Sequence, residues 1–235
     1  MSRITARRRP TRGVLLVLLL VLLLVVVLVA DRATHARTEA RISGELARSL
    51  DLQEPPAVTV DGFPFLTQVA AGRLGSVRAQ AEDVTIDTPD GSLGLHGVRA
   101  HARDVTLQTP SVVGRLELGG TLRDASIQNI VGRPGVEVAT RTDGIHLTTE
   151  ILGLRAGLVA VPEVTAERFV FRPVAASLAG NDVELATVVG LLPPELRELE
   201  VDVSDLPMGL RVTAADPVDG GLRLALTGTD LTLEE

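Results

Sequence analysis

The chain has 235 residues, and its 23 basic residues are all arginine, since it contains no Lys; Cys, Trp and Tyr are also absent. Without cysteine it can form neither a disulfide nor a thiolate metal site, and it cannot carry a lipoprotein anchor. From Asp31 onward, 18 arginines stand against 30 acidic residues, a net charge of −12. This balance argues against a nucleic-acid binder, which neutralises phosphates with a basic face.

The first thirty residues have the pattern of a membrane anchor. Residues 13–30 contain no polar or charged side chain, and at ~1.5 Å per residue they span about 27 Å, close to the hydrocarbon core of a bilayer. The five arginines before this run favour the cytoplasmic side, so the rest of the chain is predicted to be extracytoplasmic. The alternative is a cleaved signal peptide, with Thr34-His35-Ala36 as a passable cleavage site.

An amphipathic helix is predicted after the anchor, over residues 34–50, with Ile42, Leu46 and Leu50 on one stripe. We interpret it as a stalk, and a helix lying on the membrane is the alternative. The predicted organisation is therefore a cytoplasmic tail (1–12), a transmembrane anchor (13–30), a stalk helix (31–52) and an extracytoplasmic domain (53–235).

An internal repeat indicates strands with a bend in the middle. Residues 77–89 and 98–110 share nine of thirteen positions. In both copies the alternation of apolar residues changes phase, near Glu82-Asp83 and near Arg103-Asp104, which predicts a β-bulge. We interpret four further segments as looser versions of the same bulged strand, namely residues 122–128, 136–147, 164–171 and 222–233.

Bulges bend strands, so the predicted fold is α+β but mainly β: a strongly curved antiparallel sheet of bulged strands around one or two helices, preceded by the transmembrane helix. A short helix is predicted over residues 66–71. The clearer prediction is a covering helix over residues 181–192, with Asn181 as N-cap and one apolar stripe. That stripe comprises Leu185, Val188, Val189 and Leu192.

All four phenylalanines occur as two Phe-x-Phe pairs, Phe63/Phe65 and Phe169/Phe171. At the spacing of a strand, each pair is expected to point to one face. The pairs either fill the core or line an apolar cavity inside the curved sheet. Pro64 cannot donate to a strand ladder, which favours an edge or a cavity mouth for the first pair.

Motifs for catalysis are missing from the sequence. It contains no Gly-x-Ser-x-Gly elbow, P-loop or dinucleotide fingerprint, and its four histidines lack metal-ligand spacing. We therefore expect no enzyme, catalytic residue, metal or cofactor, with an envelope hydrolase as a minor alternative.

Residues 58–68, reading VTVDGFPFLTQ, are followed by Gly72-Arg73-Leu74 and later by Leu206-Pro207-Met208-Gly209-Leu210. These blocks resemble the signature of the actinobacterial LmeA-like phospholipid-binding family. The resemblance implies a cell-envelope protein that binds phospholipid, with a tubular lipid-binding fold in which a curved sheet wraps a long helix around an acyl-chain cavity.

The resulting hypothesis is a membrane-anchored, extracytoplasmic protein that holds the acyl chains of a phospholipid and moves or presents that lipid in the envelope. Its expected partners are phospholipid and, through residues 13–30, the cell membrane. The alternative is a non-binding envelope scaffold whose sheet is packed shut by its own side chains. The predicted lipid-binding residues are Phe63, Phe65, Leu66, Phe169, Phe171, Leu185, Val188, Val189 and Leu192.

Overall fold

A computed structural model describes residues 12–88, 91–132, 134–151, 153–165, 168–186, 199–202, 206 and 209–233. Along these residues the chain forms helices α1 (Arg12–Ser49), α2 (Phe65–Ala70) and α3 (Asp124–Val131). The strands are β1 (Ala57–Asp61), β2 (Arg73–Thr88), β3 (Gly91–Thr106), β4 (Ser111–Arg123), β5 (Val136–Arg141), β6 (Gly144–Ile151), β7 (Leu154–Val164), β8 (Arg168–Leu178), β9 (Asn181–Val183), β10 (Leu199–Asp202), β11 (Arg211–Val218) and β12 (Gly221–Leu233).

The strands form two antiparallel sheets. Sheet A has the order β1-β2-β3-β4-β12-β11, and sheet B has the order β10-β8-β7-β6-β5, with β9 added beside β8. The chain builds the first four strands of sheet A as a meander, leaves through α3 to build sheet B, and returns to place β12 against β4. The prediction of a mainly β, antiparallel fold with few helices is confirmed, whereas the single sheet predicted is wrong, because the strands divide into two sheets.

A crease crosses sheet A where the sequence predicts its strands to change phase. Gly75, Asp104, Gly114 and Asp230 are each skipped in the pairing of β2, β3, β4 and β12. Asp104 and Asp230 both have a φ of 54°, a left-handed conformation that reverses which side the next residue faces. The predicted changes of phase near Arg103-Asp104 and before Leu231 are therefore confirmed. The register is the same on both sides of Asp104 and Asp230, so no residue is inserted there and the bulge predicted near Arg103-Asp104 is wrong.

The glycines make this crease possible because they face the strained residues from the neighbouring strands. A Cβ built on Gly114 would lie 3.0 Å from the Cβ of Asp104, so a larger residue would push the two strands apart. The phase change also keeps the apolar side chains on one side of the sheet. Leu74 and Val105 lie on one side of the crease and Val77 lies on the other, and all three belong to one hydrophobic cluster. One face of sheet A is thus apolar along its length, and we call it the apolar face.

The bulge predicted near Glu82-Asp83 lies instead on the neighbouring strand. The register of β2 against β3 is the same on both sides of Glu82, whereas the register of β3 against β4 shifts between His96 and Arg99. Gly97, inside this shift, has a φ of 61°. Glycine adopts this conformation without a steric cost, which explains why the irregularity falls there and not on Glu82.

Three other predicted phase changes are wrong, because they mark the ends of elements and not bulges. The change within residues 136–147 is the hairpin turn between β5 and β6, and the change within residues 164–171 falls where β7 ends and β8 begins. Residues 122–128 contain the junction of β4 with α3. A turn of a few residues shifts the alternation as a bulge does, and the turn between β5 and β6 has two residues, Thr142-Asp143.

The predicted anchor and stalk are parts of one continuous helix, α1, which packs against β1 and α2 at the edge of sheet A. The family resemblance implies instead a sheet that wraps a long helix. Helix α2 agrees with the predicted short helix within one residue at each end. In the part of the chain that the structure describes, no helix is long and apolar enough to cross a membrane.

The predicted helix over residues 181–192 is wrong at its start. Asn181 does not cap a helix, because residues 181–183 form β9 and pair with β8. A strand is favoured here because the turn at Ala179-Gly180, both with positive φ, returns the chain antiparallel to β8. Val188, Val189 and Leu192 lie outside the described residues.

Candidate functional site

The apolar face of sheet A is closed at its two ends and open in the middle. At one end Val60, Phe65 and Leu74 form a buried cluster. At the other end Leu122, Ile127 and Leu222 form a second cluster, against which residues of both sheets pack. Each cluster seals the sheet against solvent at one extremity.

Between the clusters, an apolar row crosses five strands and stays half-buried. Backbone pairing aligns Ala79 with Ala100, Leu118, Leu226 and Val212, and all five side chains keep partial solvent exposure. A second half-buried row follows the next inward position of three strands: Val77, Ala102 and Leu116. Apolar side chains in the middle of a sheet are normally covered, so this region has the character of an unfilled binding surface.

The apolar face is large enough for acyl chains. From Leu74 to Val84 it runs ten residues, about 33 Å at ~3.3 Å per residue, and its six strands give a width of about 24 Å at ~4.8 Å per spacing. This length compares with the ~30 Å hydrocarbon thickness of a whole bilayer. The alanines of the middle row leave room above the sheet that larger side chains would fill.

Helix α1 and the segment after β1 close the first end. The ring of Phe65 is 1% exposed, and its centroid lies 5.1 Å from that of His35 on α1. The backbone of Val60 is held from α1 on both sides: its N–H donates to the Glu39 carboxylate at 2.8 Å, and its carbonyl O lies 2.7 Å from His35 Nε2. Ile42 adds an apolar contact to the same cluster. The helix is therefore attached to the sheet through both polar and apolar contacts.

The structure separates the first predicted phenylalanine pair. Phe63 is 63% exposed, whereas Phe65 is buried, so the expectation that both point to one face is wrong. The physical reason is that β1 ends at Asp61 and α2 begins at Phe65, which removes the strand geometry between them. Leu66, the third predicted residue here, is half-buried. The segment lies beside the edge strand, as Pro64 predicts.

Of the remaining predicted residues, Phe169 and Phe171 lie on β8 of sheet B. Phe171, on β8, packs against the second cluster, and Leu185 is half-buried just after β9. The side chain of Phe169 lies outside the described part of the chain, as do Val188, Val189 and Leu192. Two residues predicted from the sequence, Phe65 and Phe171, therefore lie at the two ends of the apolar face, and none of the predicted residues belongs to its middle row. The available signal was the alternating alanine of the repeat, at residues 79, 81, 100 and 102.

A groove of about 450 Å³ crosses β2, β3, β4 and β12 at the level of the middle row. Its lining residues are the middle-row residues of these four strands and the positions immediately before and after them. Because side chains alternate along a strand, those neighbouring positions face the opposite, polar side of sheet A. They include Arg78, Gln80, Arg99, His101 and Glu117.

An ion pair joins β1 to β2 on this polar face. Arg78 donates to the Asp61 carboxylate, and the Ser76 hydroxyl donates to its other oxygen at 2.8 Å. These two hydrogen bonds, Arg78 first, hold the pKa of Asp61 below its ordinary value of 3.8. A lowered pKa means that the pair stabilises the fold above the ordinary value, and that this contribution is lost as pH falls through the lowered pKa.

We expect Asp61→Asn to lower the free energy of unfolding by about 0.2–1 kcal/mol at pH 7, the range for a solvent-exposed ion pair. The difference from the wild type should shrink as the pH falls below 3.8, because the wild-type carboxylate then becomes protonated as well. Thermal unfolding at pH 7 and at pH 3 measures this. A difference that grows on acidification would contradict the assignment of the pair.

In the described part of the chain, no three His, Asp or Glu side chains lie close enough together to hold a metal ion. What the geometry offers is a large apolar surface with polar groups kept to its outside. Such an arrangement can shelter hydrocarbon from water.

A family model described as LmeA-like phospholipid-binding matches residues 29–227. No curated protein matches the chain, and no solved structure matches it. The matched residues begin at the last apolar residues of α1 and include every strand up to the first half of β12.

Proposed function

Because the chain belongs to the LmeA-like phospholipid-binding family, we propose that the apolar face of sheet A shelters the acyl chains of a phospholipid. The protein would be held in the membrane by residues 13–30, with its two sheets on the extracytoplasmic side. In this position it would move or present lipid within the cell envelope.

The observation that supports this proposal is the half-buried middle row, from Ala79 to Val212, between two closed ends. Burying one methylene group is worth ~0.8 kcal/mol, so ten methylenes on this face contribute roughly 8 kcal/mol before the costs of binding are subtracted. Those costs begin at about 4 kcal/mol. The balance favours a reversibly held lipid, as transfer or presentation requires.

The membrane location rests on the sequence of residues 13–30 and on the exposure of the part of α1 that is described. Ten consecutive apolar residues of α1, from Leu20 to Val29, are exposed, nine of them by more than 45%. A surface of this kind is costly in water and favourable in hydrocarbon. The five arginines that precede the run support the orientation.

A phospholipid with a photoreactive group in its acyl chain tests the proposal, because it separates lipid on sheet A from lipid around the anchor. The full chain in vesicles is irradiated, cleaved after arginine and analysed by mass spectrometry. We expect adducts in the peptides 79–99, 116–123 and 224–235, which carry three residues of the middle row, Ala79, Leu118 and Leu226. Adducts confined to peptides of α1 would contradict the proposal and favour the non-binding scaffold.

A further inference from the structure

The segment between β1 and α2 presents apolar side chains to solvent next to the apolar part of α1. Phe63 is 63% exposed and Val69, on α2, is 40% exposed. Both are near the point where the exposed apolar residues of α1 end, at Ala30 and Asp31. Two apolar surfaces that are far apart in sequence therefore lie side by side.

A buried hydrogen bond sets the level of this segment along α1. Asp31, the first charged residue after the apolar run, is 3% exposed, and its Oδ1 accepts a hydrogen bond from the backbone N–H of Leu66 at 2.8 Å. One turn later, His35 contacts the ring of Phe65. One helical turn rises ~5.4 Å, so the start of α2 lies within about one turn of the end of the apolar run.

The polar groups of the segment are bonded within the protein. The Thr67 hydroxyl donates to the Pro64 carbonyl at 2.7 Å, and the Gln68 side chain donates to the Asp61 carbonyl and accepts from the Gly75 N–H. Backbone groups that enter a bilayer must be satisfied internally, because hydrocarbon offers no hydrogen bonds. This segment meets that condition at the groups named here.

We propose that Phe63 and the exposed face of α2 enter the interfacial layer of the phospholipid bilayer that holds residues 13–30. This inference rests on the proposed membrane location. It brings the bilayer next to the end of the apolar face that Phe65, two residues after Phe63, closes together with Leu74. This cluster, and no layer of water, would then lie between the bilayer and the middle row of sheet A.

The chain contains no Trp and no Tyr, so a single introduced Trp is its only indole. Phe63→Trp is placed in the full chain in vesicles of phosphatidylcholine and phosphatidylglycerol with brominated acyl chains. We expect blue-shifted emission and strong quenching by bromines close to the headgroups. Val174→Trp is the matched control: this residue on β8 is 52% exposed, and we expect emission as in water with little quenching.

A Phe63→Trp emission equal to that of Val174→Trp would overturn the inference. Val69→Trp provides a second, independent site, so the result does not depend on one variant folding. If the indoles stay in water while photoadducts appear on sheet A, this inference fails and the proposed function stands. If the indoles are quenched but no photoadducts appear on sheet A, the proposed function fails and this inference stands. Wild-type chain that does not float with vesicles would overturn both membrane proposals.

Discussion

Replacing Phe65 by alanine is expected to lower the free energy of unfolding by about 3–5 kcal/mol. The ring is 1% exposed and packs with Val60 and Leu74, where the removed atoms would leave a cavity that the surrounding strands cannot fill. It also contacts His35, so its loss weakens the attachment of α1 to the sheet. Because single domains are stable by only about 5–15 kcal/mol, this one change should remove much of the total.

Far-UV circular dichroism during urea unfolding measures the effect. Phe63→Ala is the matched control, because the same deletion at a ring that is 63% exposed should stay within about 0.5 kcal/mol of the wild type. Phe65→Leu keeps an apolar side chain and should cost less than Phe65→Ala, which gives a measurable value if the alanine variant does not fold. Equal losses for Phe63→Ala and Phe65→Ala would contradict the packing described here.

Replacing Leu226 by aspartate is expected to remove most of the phospholipid from sheet A. Leu226 lies in the middle row of the apolar face and is half-buried. A carboxylate there would have to lose its water when an acyl chain covers it, at a cost of several kcal/mol. Since ~1.4 kcal/mol corresponds to a tenfold change in affinity, lipid occupancy should fall by more than tenfold.

The neighbouring residue provides the control for charge. Thr227 follows Leu226 on β12 and faces the other side of the sheet by strand alternation, so Thr227→Asp adds the same charge to the polar face. We expect wild-type yields of photoadducts for Thr227→Asp and a loss in peptides 79–99 and 116–123 for Leu226→Asp. Equal yields for the two variants would show that lipid does not lie on the apolar face.

Local patterns predicted the strands of this fold better than the irregularities between them. The repeat at residues 77–110 correctly predicted long strands, and Asp104 and Asp230 correctly marked changes of phase. The same pattern wrongly predicted a bulge within residues 136–147, because a short turn and a bulge shift the alternation of apolar residues equally. Only the pairing of β5 with β6 distinguishes them, and pairing depends on contacts that a local period does not contain.

The candidate site was predictable at its ends and not in its middle. Large aromatic side chains drew attention to Phe65 and Phe171, which do close the two extremities. The open row between them consists of residues as ordinary as Ala79 and Ala100. These residues can be recognised as one row only from the strand register, which pairs strands that are distant in the sequence. Leu226 and Leu118, for example, are neighbours in the sheet although they are more than a hundred residues apart in the chain.

The crease at Gly75, Asp104, Gly114 and Asp230 is a line along which four adjacent strands form no backbone pair. We therefore expect sheet A to bend more easily along this line than within the paired regions on either side of it. A small change of angle there would alter the space above the alanine row, and one scaffold would then adjust to hydrocarbon of different bulk.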